Sequence, residues 1–266
     1  MIAEKIIDLE TCSACCLACN FCPRSSIKRN DHRIDFKHVS RLNVGPKHIV
    51  WLSGLGEPLL TCPDLEVRIV KQKGAKVYSN SNAAFDMFPR NLDRCMKMGL
   101  SFVNVSVYGW DQASYKETTN SDSFEIVLKN VKHLKSTGLA MRLSYVQTKS
   151  SPKDVKKRIV EAFDVTKVRL LNEHGRALEG QSCEPPKRCS LCANYLFVSS
   201  DGIALPCVND VRMVHPLGTD YDKVYGLKKL GYPWDICRKC DCGARFASDK
   251  EGFMEKISRL DAGVTK

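Results

Sequence analysis

Five of the fourteen cysteines of this chain fall within residues 12–22, inside the segment ETCSACCLACNFCPRS. Cys15, Cys19 and Cys22 are spaced C-x3-C-x2-C, which allows one loop to turn three sulfurs to the same side. Three thiolates can hold three irons of a cubane iron–sulfur cluster. Because such clusters normally take four cysteines, the spacing predicts a fourth iron that is open to another ligand.

Phe21 directly precedes the third of these cysteines, and Pro23 follows it. In this respect the segment resembles the cysteine motif of the radical S-adenosylmethionine (SAM) enzymes. The resemblance implies that Cys15, Cys19 and Cys22 hold a [4Fe-4S] cluster, whose free iron chelates the amino and carboxylate groups of SAM. The expected cofactors are therefore this cluster and SAM itself.

Two other interpretations of the same cysteines stay open. Cys12, Cys16 and Cys19 have the same spacing, but Ala18 stands where the motif has an aromatic residue. Zinc also binds clustered cysteines, although structural zinc sites usually take four ligands in spaced pairs. The triplet spacing and the aromatic residue favour the first set and an iron–sulfur cluster.

Composition and charge indicate in which compartment, and with which kinds of partner, this protein works. The first residues show no basic segment followed by an apolar run, and no stretch approaches the ~18 apolar residues of a membrane-spanning helix. We therefore expect a cytoplasmic protein with no membrane partner, where clustered cysteines more often bind metal than form disulfides. Lys and Arg number 41 against 30 Asp and Glu, a net charge of +11 that permits an acidic partner, including nucleic acid.

The first two thirds of the chain alternate between strand and helix patterns. Strands are predicted at residues 6–10, 48–53, 76–80, 102–108, 141–147 and 167–171. Helices are predicted at residues 65–73, 89–98, 124–136 and 152–163. This alternation indicates parallel βα units, but six units are too few for a closed eight-unit barrel. The expected fold is α/β, an open partial (β/α)6 barrel, which is also the core fold of the family that the cysteine motif resembles.

Ligands of parallel sheets bind beyond the carboxyl ends of the strands. The segment Gly54-Leu-Gly56-Glu57-Pro follows the second strand and resembles the glycine-rich segment of radical SAM enzymes that meets the SAM amino group. Its glycines would let the backbone approach a ligand, and Glu57 supplies an acceptor for the ammonium. The resemblance implies further SAM contacts from Phe21, Asn80, Ser106 and Leu171.

Seven more cysteines lie between residues 183 and 242. Residues 195–199 and 203–207 are predicted to form a hairpin that turns at Gly202 and brings Cys207 close to Cys189 or Cys192. Cys237 and Cys240 form a C-x2-C pair that arrives from the C-terminal side. Four such sulfurs could enclose a second cluster that has no open iron.

The spacing C-x12-G-x4-C followed by C-x2-C resembles the twitch auxiliary domain, a shortened form of the SPASM domain of radical SAM enzymes. The resemblance implies an auxiliary [4Fe-4S] cluster held by Cys189, Cys207, Cys237 and Cys240. Cys192 and Cys242 remain alternative ligands, and a zinc ribbon remains an alternative site. The predicted division is a core of residues 1–178 and an auxiliary domain of residues 179–266, built from the hairpin and a closing helix.

These resemblances imply a radical SAM oxidoreductase. Such an enzyme cleaves SAM reductively to a 5′-deoxyadenosyl radical, which abstracts hydrogen from a substrate carbon. An auxiliary cluster would favour net oxidation, by dehydrogenation or cross-link formation, of a small molecule or peptide. The implied electron donor is a protein such as flavodoxin or ferredoxin. Modification of a nucleotide or nucleic acid is an alternative, as is a non-catalytic zinc-stabilised binding module. No residue is identified as a general acid or base.

Overall fold

The computed structural model describes residues 5–27, 30–147, 151–172, 195–207, 210, 213 and 215–224. Its sheet has eight strands in the order β6-β5-β4-β3-β2-β1-β7-β8. The strands are β1 Lys5–Leu9, β2 His48–Leu52, β3 Lys76–Ser81, β4 Leu100–Val107, β5 Ala140–Gln147, β6 Val168–Asn172, β7 Tyr195–Val198 and β8 Ala204–Leu205. The helices are α1 Phe36–Arg41, α2 Asp64–Gln72, α3 Phe88–Met98, α4 Gln112–Thr119, α5 Phe124–Ser136 and α6 Val155–Ala162.

Neighbouring strands from β6 to β7 all run parallel, and the two ends of the sheet do not pair with each other. The predicted open, mainly parallel α/β sheet is therefore confirmed. Each of the six predicted strands is present, with ends that differ by at most two residues. Two short helices, α1 and α4, were not predicted. The second begins at a capping box in which the Asp111 carboxylate accepts from the Ser114 N–H at 2.7 Å.

The convex face of the sheet carries the main hydrophobic core. Val103 of β4 lies in this core together with Leu92 of α3 and Val127 of α5, all fully buried. Buried side chains recur at helical spacing on α5, so one apolar side of that helix faces the sheet. This packing accounts for the alternation of strands and helices along the chain.

The concave face is apolar at the amino ends of the strands and polar toward their carboxyl ends. Trp51 stacks edge-on against Tyr78 and Phe102, with ring centroids 5.3 and 5.9 Å away. Ile6 and Ile49 complete this smaller group of buried hydrophobic side chains. These side chains close the amino end of the partial barrel, so a ligand has to bind nearer the carboxyl ends of the strands.

The sheet is curved. Tyr195 of β7 lies within electrostatic range of Arg142 on β5 and Arg169 on β6. Four or more strands separate β7 from these two strands in the sheet order. The two ends of the sheet therefore bend toward each other around the concave face, as expected for a partial barrel.

The predicted hairpin is present, but it extends the main sheet. β7 and β8 pair antiparallel, and β7 also pairs parallel with β1 along residues 195–198. The division predicted between residues 178 and 179, and the closing helix, lie outside the described residues and stay predictions. None of the described helices is both long and apolar enough to cross a bilayer.

Candidate metal centre

The cysteine loop follows β1 and is held from both sides. The Glu57 N–H donates to the Ala14 carbonyl at 2.7 Å, which ties the loop to the segment after β2. On its other side, the Ser13 N–H donates to the His32 carbonyl at 3.0 Å. The loop therefore lies at the carboxyl ends of β1 and β2, where ligands of parallel sheets are expected.

Cys15, Cys19 and Cys22 share one environment. Burial, together with the neighbouring thiolates of Cys22 and Cys15, raises the pKa of the Cys19 thiol to about 12. All three sulfurs also lie within electrostatic range of the Tyr108 hydroxyl. Burial and these charges raise the pKa of Tyr108 well above its usual range. The structure thus brings the three predicted ligands together, and their role as ligands stays a prediction.

The alternative set is not gathered in the same way. The buried Cys12 thiol is directed at Ala14, from whose N–H it accepts a hydrogen bond at 3.2 Å. Burial raises the pKa of Cys12. Cys16 is exposed and donates to the Cys15 sulfur, which lowers the pKa of Cys15 to about 6. Its geometry makes Cys16 a hydrogen-bonding neighbour of the first set.

Two polar side chains near this sulfur group were not predicted from the sequence: the Asn82 amide contacts it, and the Tyr115 hydroxyl lies within electrostatic range of it. The Asn82 amide donates to Cys15 Sγ at 3.6 Å and to Cys16 Sγ at 3.5 Å. The Tyr115 hydroxyl is buried without a hydrogen-bond partner in the described part of the chain. Burial and the charges of Cys19, Cys16 and Cys15 raise the pKa of Tyr115. Asn82 directly follows β3, and this position was the one feature of the sequence that could have indicated it.

These observations fit an iron–sulfur cluster. A buried donor without a partner, next to thiolates, suits a group that presents further sulfur acceptors, as a cluster does. Among the described residues, no three Cys, His, Asp or Glu side chains converge closely enough to bind a single metal ion. A cubane cluster does not require such convergence, because each thiolate binds its own iron.

The glycines after β2 are required by close contacts within the protein, and their predicted approach to SAM stays a prediction. A Cβ atom on Gly56 would overlap the Cys12 carbonyl oxygen and lie 2.8 Å from that of Ala14. A Cβ atom on Gly54, whose φ is +148°, would lie 2.6 Å from the Glu10 side chain. Both positions thus require glycine because of close contacts within the protein, which position the cysteine loop.

Glu57 is almost fully buried and accepts three hydrogen bonds. The donors are the Leu59 N–H at 3.2 Å, the Ser81 hydroxyl at 2.7 Å and the Asn82 N–H at 2.7 Å. Burial raises the pKa of Glu57 to about 8. A carboxylate has about four acceptor positions, so one is left for a ligand such as an ammonium group.

The other predicted SAM contacts are spread along the same edge. The Phe21 ring packs on Tyr108, with centroids 5.6 Å apart, and Ser106 is hydrogen-bonded to Tyr108. Leu171 pairs with Val146 two residues beyond Arg169, which places it on the concave face. The Asn80 amide oxygen is already used, because it accepts from the Asn104 amide at 3.2 Å. All four residues remain predicted contacts.

Of the predicted auxiliary ligands, the structure describes only Cys207. It is half-buried, follows β8 and lies within electrostatic range of Tyr195 on the concave face. Cys189, Cys237 and Cys240 lie outside the described residues, as do the alternatives Cys192 and Cys242. The auxiliary cluster therefore stays a prediction.

Glu10 links three segments at this edge, and its role was not predicted. One carboxylate oxygen accepts from the Leu55 N–H at 3.0 Å. The other accepts from the N–H and hydroxyl of Ser200, at 3.0 and 2.9 Å. Glu10 is fully buried, so it joins β1 to the turn after β2 and to the turn after β7.

We expect Glu10→Ala to lower the free energy of unfolding by about 3 kcal/mol or more, because it leaves several buried donors without an acceptor. Chemical denaturation followed by circular dichroism measures this change. The control is Glu117→Ala on the exposed side of α4, expected to stay within about 0.5 kcal/mol of wild type. Equal stabilities of the two variants would contradict the role of Glu10.

Comparison with known proteins identifies one similar sequence and several structures with a similar fold. No protein-family model matches the chain. GTP 3′,8-cyclase of Chlorobaculum tepidum is 28% identical over 183 residues, an alignment that covers 65% of this chain and 52% of that protein. The chain thus spans about half the length of the curated relative it matches.

A crystal structure of Streptococcus suis SuiB bound to S-adenosylmethionine superimposes with a TM-score of 0.61 and 15% identity, covering 91% of this chain and 71% of SuiB. A second SuiB structure gives a TM-score of 0.54 and 14% identity, over 85% of this chain and 68% of that one. At such identities the likeness concerns the fold. The fold that this chain shares with SuiB is an open, mainly parallel α/β partial barrel. The cysteine loop of this chain lies at the carboxyl ends of the strands.

Proposed function

We propose that this chain is a radical SAM enzyme whose [4Fe-4S] cluster is held by Cys15, Cys19 and Cys22. When bound, the cluster supplies one electron to SAM, whose cleavage yields methionine and a 5′-deoxyadenosyl radical that removes a hydrogen atom from a substrate carbon. The electron comes from an external one-electron donor such as flavodoxin or ferredoxin. The protein binds and orients both molecules and keeps competing reactions out.

The observation that carries this proposal is the common environment of the three thiols. Cys15, Cys19 and Cys22 lie around Tyr108 at the carboxyl edge of an open parallel sheet. The Asn82 amide donates to Cys15, and the Tyr115 hydroxyl, which has no hydrogen-bond partner among the described residues, lies within electrostatic range of Cys15 and Cys19. The likeness of fold to a SAM-bound structure supports the same assignment.

The remaining residues of this edge are assigned by their chemistry. The free acceptor position of Glu57 suits the ammonium of SAM. Burial raises the pKa of this carboxyl, and the positive charge of the ammonium would favour its ionised form. We assign Ser106 to the ribose or carboxylate of SAM and Leu171 to its adenine, and the pairing of their strands supports a position on the concave face for both. The Asn82 and Tyr115 donors would stabilise the negative charge of the reduced site.

We further propose net oxidation of the substrate, assisted by a second cluster at Cys189, Cys207, Cys237 and Cys240. These four cysteines would hold the cluster, which would serve as the acceptor for the one electron given up by the substrate radical, while a base would take the proton, so that the product is dehydrogenated or cross-linked. The position of Cys207 near Tyr195 supports this role, because Tyr195 lies on the concave face where substrate would bind. The substrate class proposed is a small molecule or a peptide.

A second candidate is radical modification of a nucleotide. It is favoured by the similarity to GTP 3′,8-cyclase, whose name describes a reaction of a nucleotide. The net charge of +11 is compatible with such a substrate or with nucleic acid.

The proposal is tested with chain purified and reconstituted without oxygen. We expect a brown protein that, after reduction with dithionite and addition of SAM, produces methionine and 5′-deoxyadenosine in equal amounts. Visible absorption, iron analysis and chromatography of the products are the measurements. A colourless chain that contains zinc and leaves SAM intact would instead support the binding module.

The auxiliary cluster needs a separate experiment. Replacing both Cys237 and Cys240 with alanine should remove about four irons per chain while 5′-deoxyadenosine is still formed. With substrate present, this variant should form less oxidised product than wild type. Equal amounts of oxidised product would exclude the proposed role of the second cluster.

A further inference from the structure

Two arginines stand side by side on the concave face of the sheet. Arg142 of β5 pairs in register with Asn104 of β4, and its Nε donates to the Asn104 amide oxygen at 2.9 Å. Arg169 of β6 pairs with Ser144 of β5, whose hydroxyl donates to the same amide oxygen at 2.6 Å. Paired residues of parallel strands point to the same face, so both guanidinium groups lie on the concave side.

The position of this pair along the strands is also defined. Both arginines lie beyond the aromatic cluster of Trp51, Tyr78 and Phe102 that closes the amino end. Arg142 retains contact with this cluster, because its guanidinium lies 5.7 Å from the Phe102 ring centroid. Arg142 therefore lies one paired position nearer the amino ends than Ser106, whereas Arg169 is level with Ser106 through Ser144. Both arginines lie below the cysteine loop.

The two positive charges affect each other, and no carboxylate among the described residues is paired with them. Burial, and after it the nearby Arg169, lower the pKa of Arg142 to about 10. The side chain of Arg169 is accessible to water, yet the protein around it lowers its pKa too, as expected inside a concave surface. Within the described part of the chain, neither guanidinium is in ion-pair distance of a carboxylate.

Two neighbouring guanidinium charges lower the stability of the fold unless a negative charge compensates them. Both groups stay protonated at neutral pH, so two like charges repel each other in a partly desolvated place. Asp8 of β1 also lies within electrostatic range of Tyr195 on this face. A guanidinium presents a rigid fork of donors that matches the oxygens of a carboxylate or a phosphate.

We propose that Arg142 and Arg169 bind an anionic group of the substrate, either a carboxylate or a phosphate. This inference rests on the proposed function and names the substrate class of that site. An anion held by the two arginines would fix one end of the substrate on the concave face, beside the proposed SAM contact Ser106. The carbon that loses hydrogen would then belong to the part of the substrate that extends toward the cysteine loop.

The experiment measures anion binding to the reconstituted full chain by isothermal titration calorimetry in a buffer free of other oxyanions. The probes are inorganic phosphate, pyrophosphate and succinate. We expect wild type to bind at least one of them. Arg142→Gln and Arg169→Gln should each weaken this binding at least tenfold. Preference for phosphate and pyrophosphate over succinate, or the reverse, identifies which of the two anionic groups the site takes.

The control is Arg68→Gln on the exposed side of α2, which should bind the probes as wild type does. Arg169→Gln removes no hydrogen bond within the described residues, so it serves even if Arg142→Gln folds poorly. No binding by wild type, or equal binding by wild type and both variants, would overturn the anion site.

The outcomes for the two proposals are distinct. Both arginine variants should keep the cluster absorption and form 5′-deoxyadenosine without substrate, because they leave the cysteine loop intact. Arginine-dependent anion binding in a chain that cannot cleave SAM would support the anion site and overturn the proposed function.

Discussion

Replacing Cys15, Cys19 or Cys22 with alanine is expected to abolish SAM cleavage altogether. Each variant lacks one of the three protein ligands of the first cluster, so about four irons per chain should be lost and 5′-deoxyadenosine should fall to the level without protein. Because the three sulfurs lie in one environment around Tyr108, we expect the three variants to behave alike. Iron analysis, visible absorption and product chromatography are the measurements.

Cys12→Ala is the matched control, since Cys12 belongs to the same loop but is directed at Ala14. It should retain iron and produce 5′-deoxyadenosine at a rate close to that of wild type. If Cys12→Ala lost the cluster while Cys22→Ala kept it, the alternative set with Cys16 and Cys19 would hold the iron. This comparison therefore decides between the two sets directly.

Among substitutions of glycine by alanine next to the cysteine loop, Gly56→Ala is expected to lower stability and iron content the most. The new Cβ would overlap the carbonyl oxygen of Cys12 and lie 2.8 Å from that of Ala14. Backbone atoms cannot rotate away, so the cysteine loop has to shift. We expect the free energy of unfolding to fall by about 3 kcal/mol or more, and iron content after reconstitution to fall with it.

The control for this steric effect is Gly45→Ala, which precedes β2. A Cβ atom there would have its nearest neighbour at 3.8 Å, an ordinary contact. Its unfolding free energy should stay within about 1 kcal/mol of wild type, with full iron content. If both variants lost stability equally, backbone freedom and not the contact with the cysteine loop would be the cause.

Both predictions concern how the cysteine loop is held. Gly56 lets the segment after β2 lie directly against the loop, and the Glu57 N–H then bonds to Ala14 at 2.7 Å. The Glu57 side chain reaches the next segment, at Ser81 and Asn82. Three consecutive strand ends are thereby joined into one rigid edge, which is what a precisely placed cofactor requires.

Much of the fold follows from local sequence. The alternation of β-branched strands with helices that end at glycine predicted six parallel units, because hydrophobic periodicity and helix ends depend on neighbouring residues. The spacing of Cys15, Cys19 and Cys22 likewise predicted which thiols would lie together, since a short loop limits where its own sulfurs can point. Local geometry alone sufficed for both.

The tertiary structure decided the features that depend on residues far apart in the chain. β7 pairs with β1 across almost 190 residues, and Glu10 bonds to Ser200 across 190. Arg142 and Arg169 look like ordinary polar positions in two strands until the sheet places them side by side on its concave face. Strand order and curvature result from packing over the whole sheet, and no local pattern encodes which distant side chains that packing brings into contact.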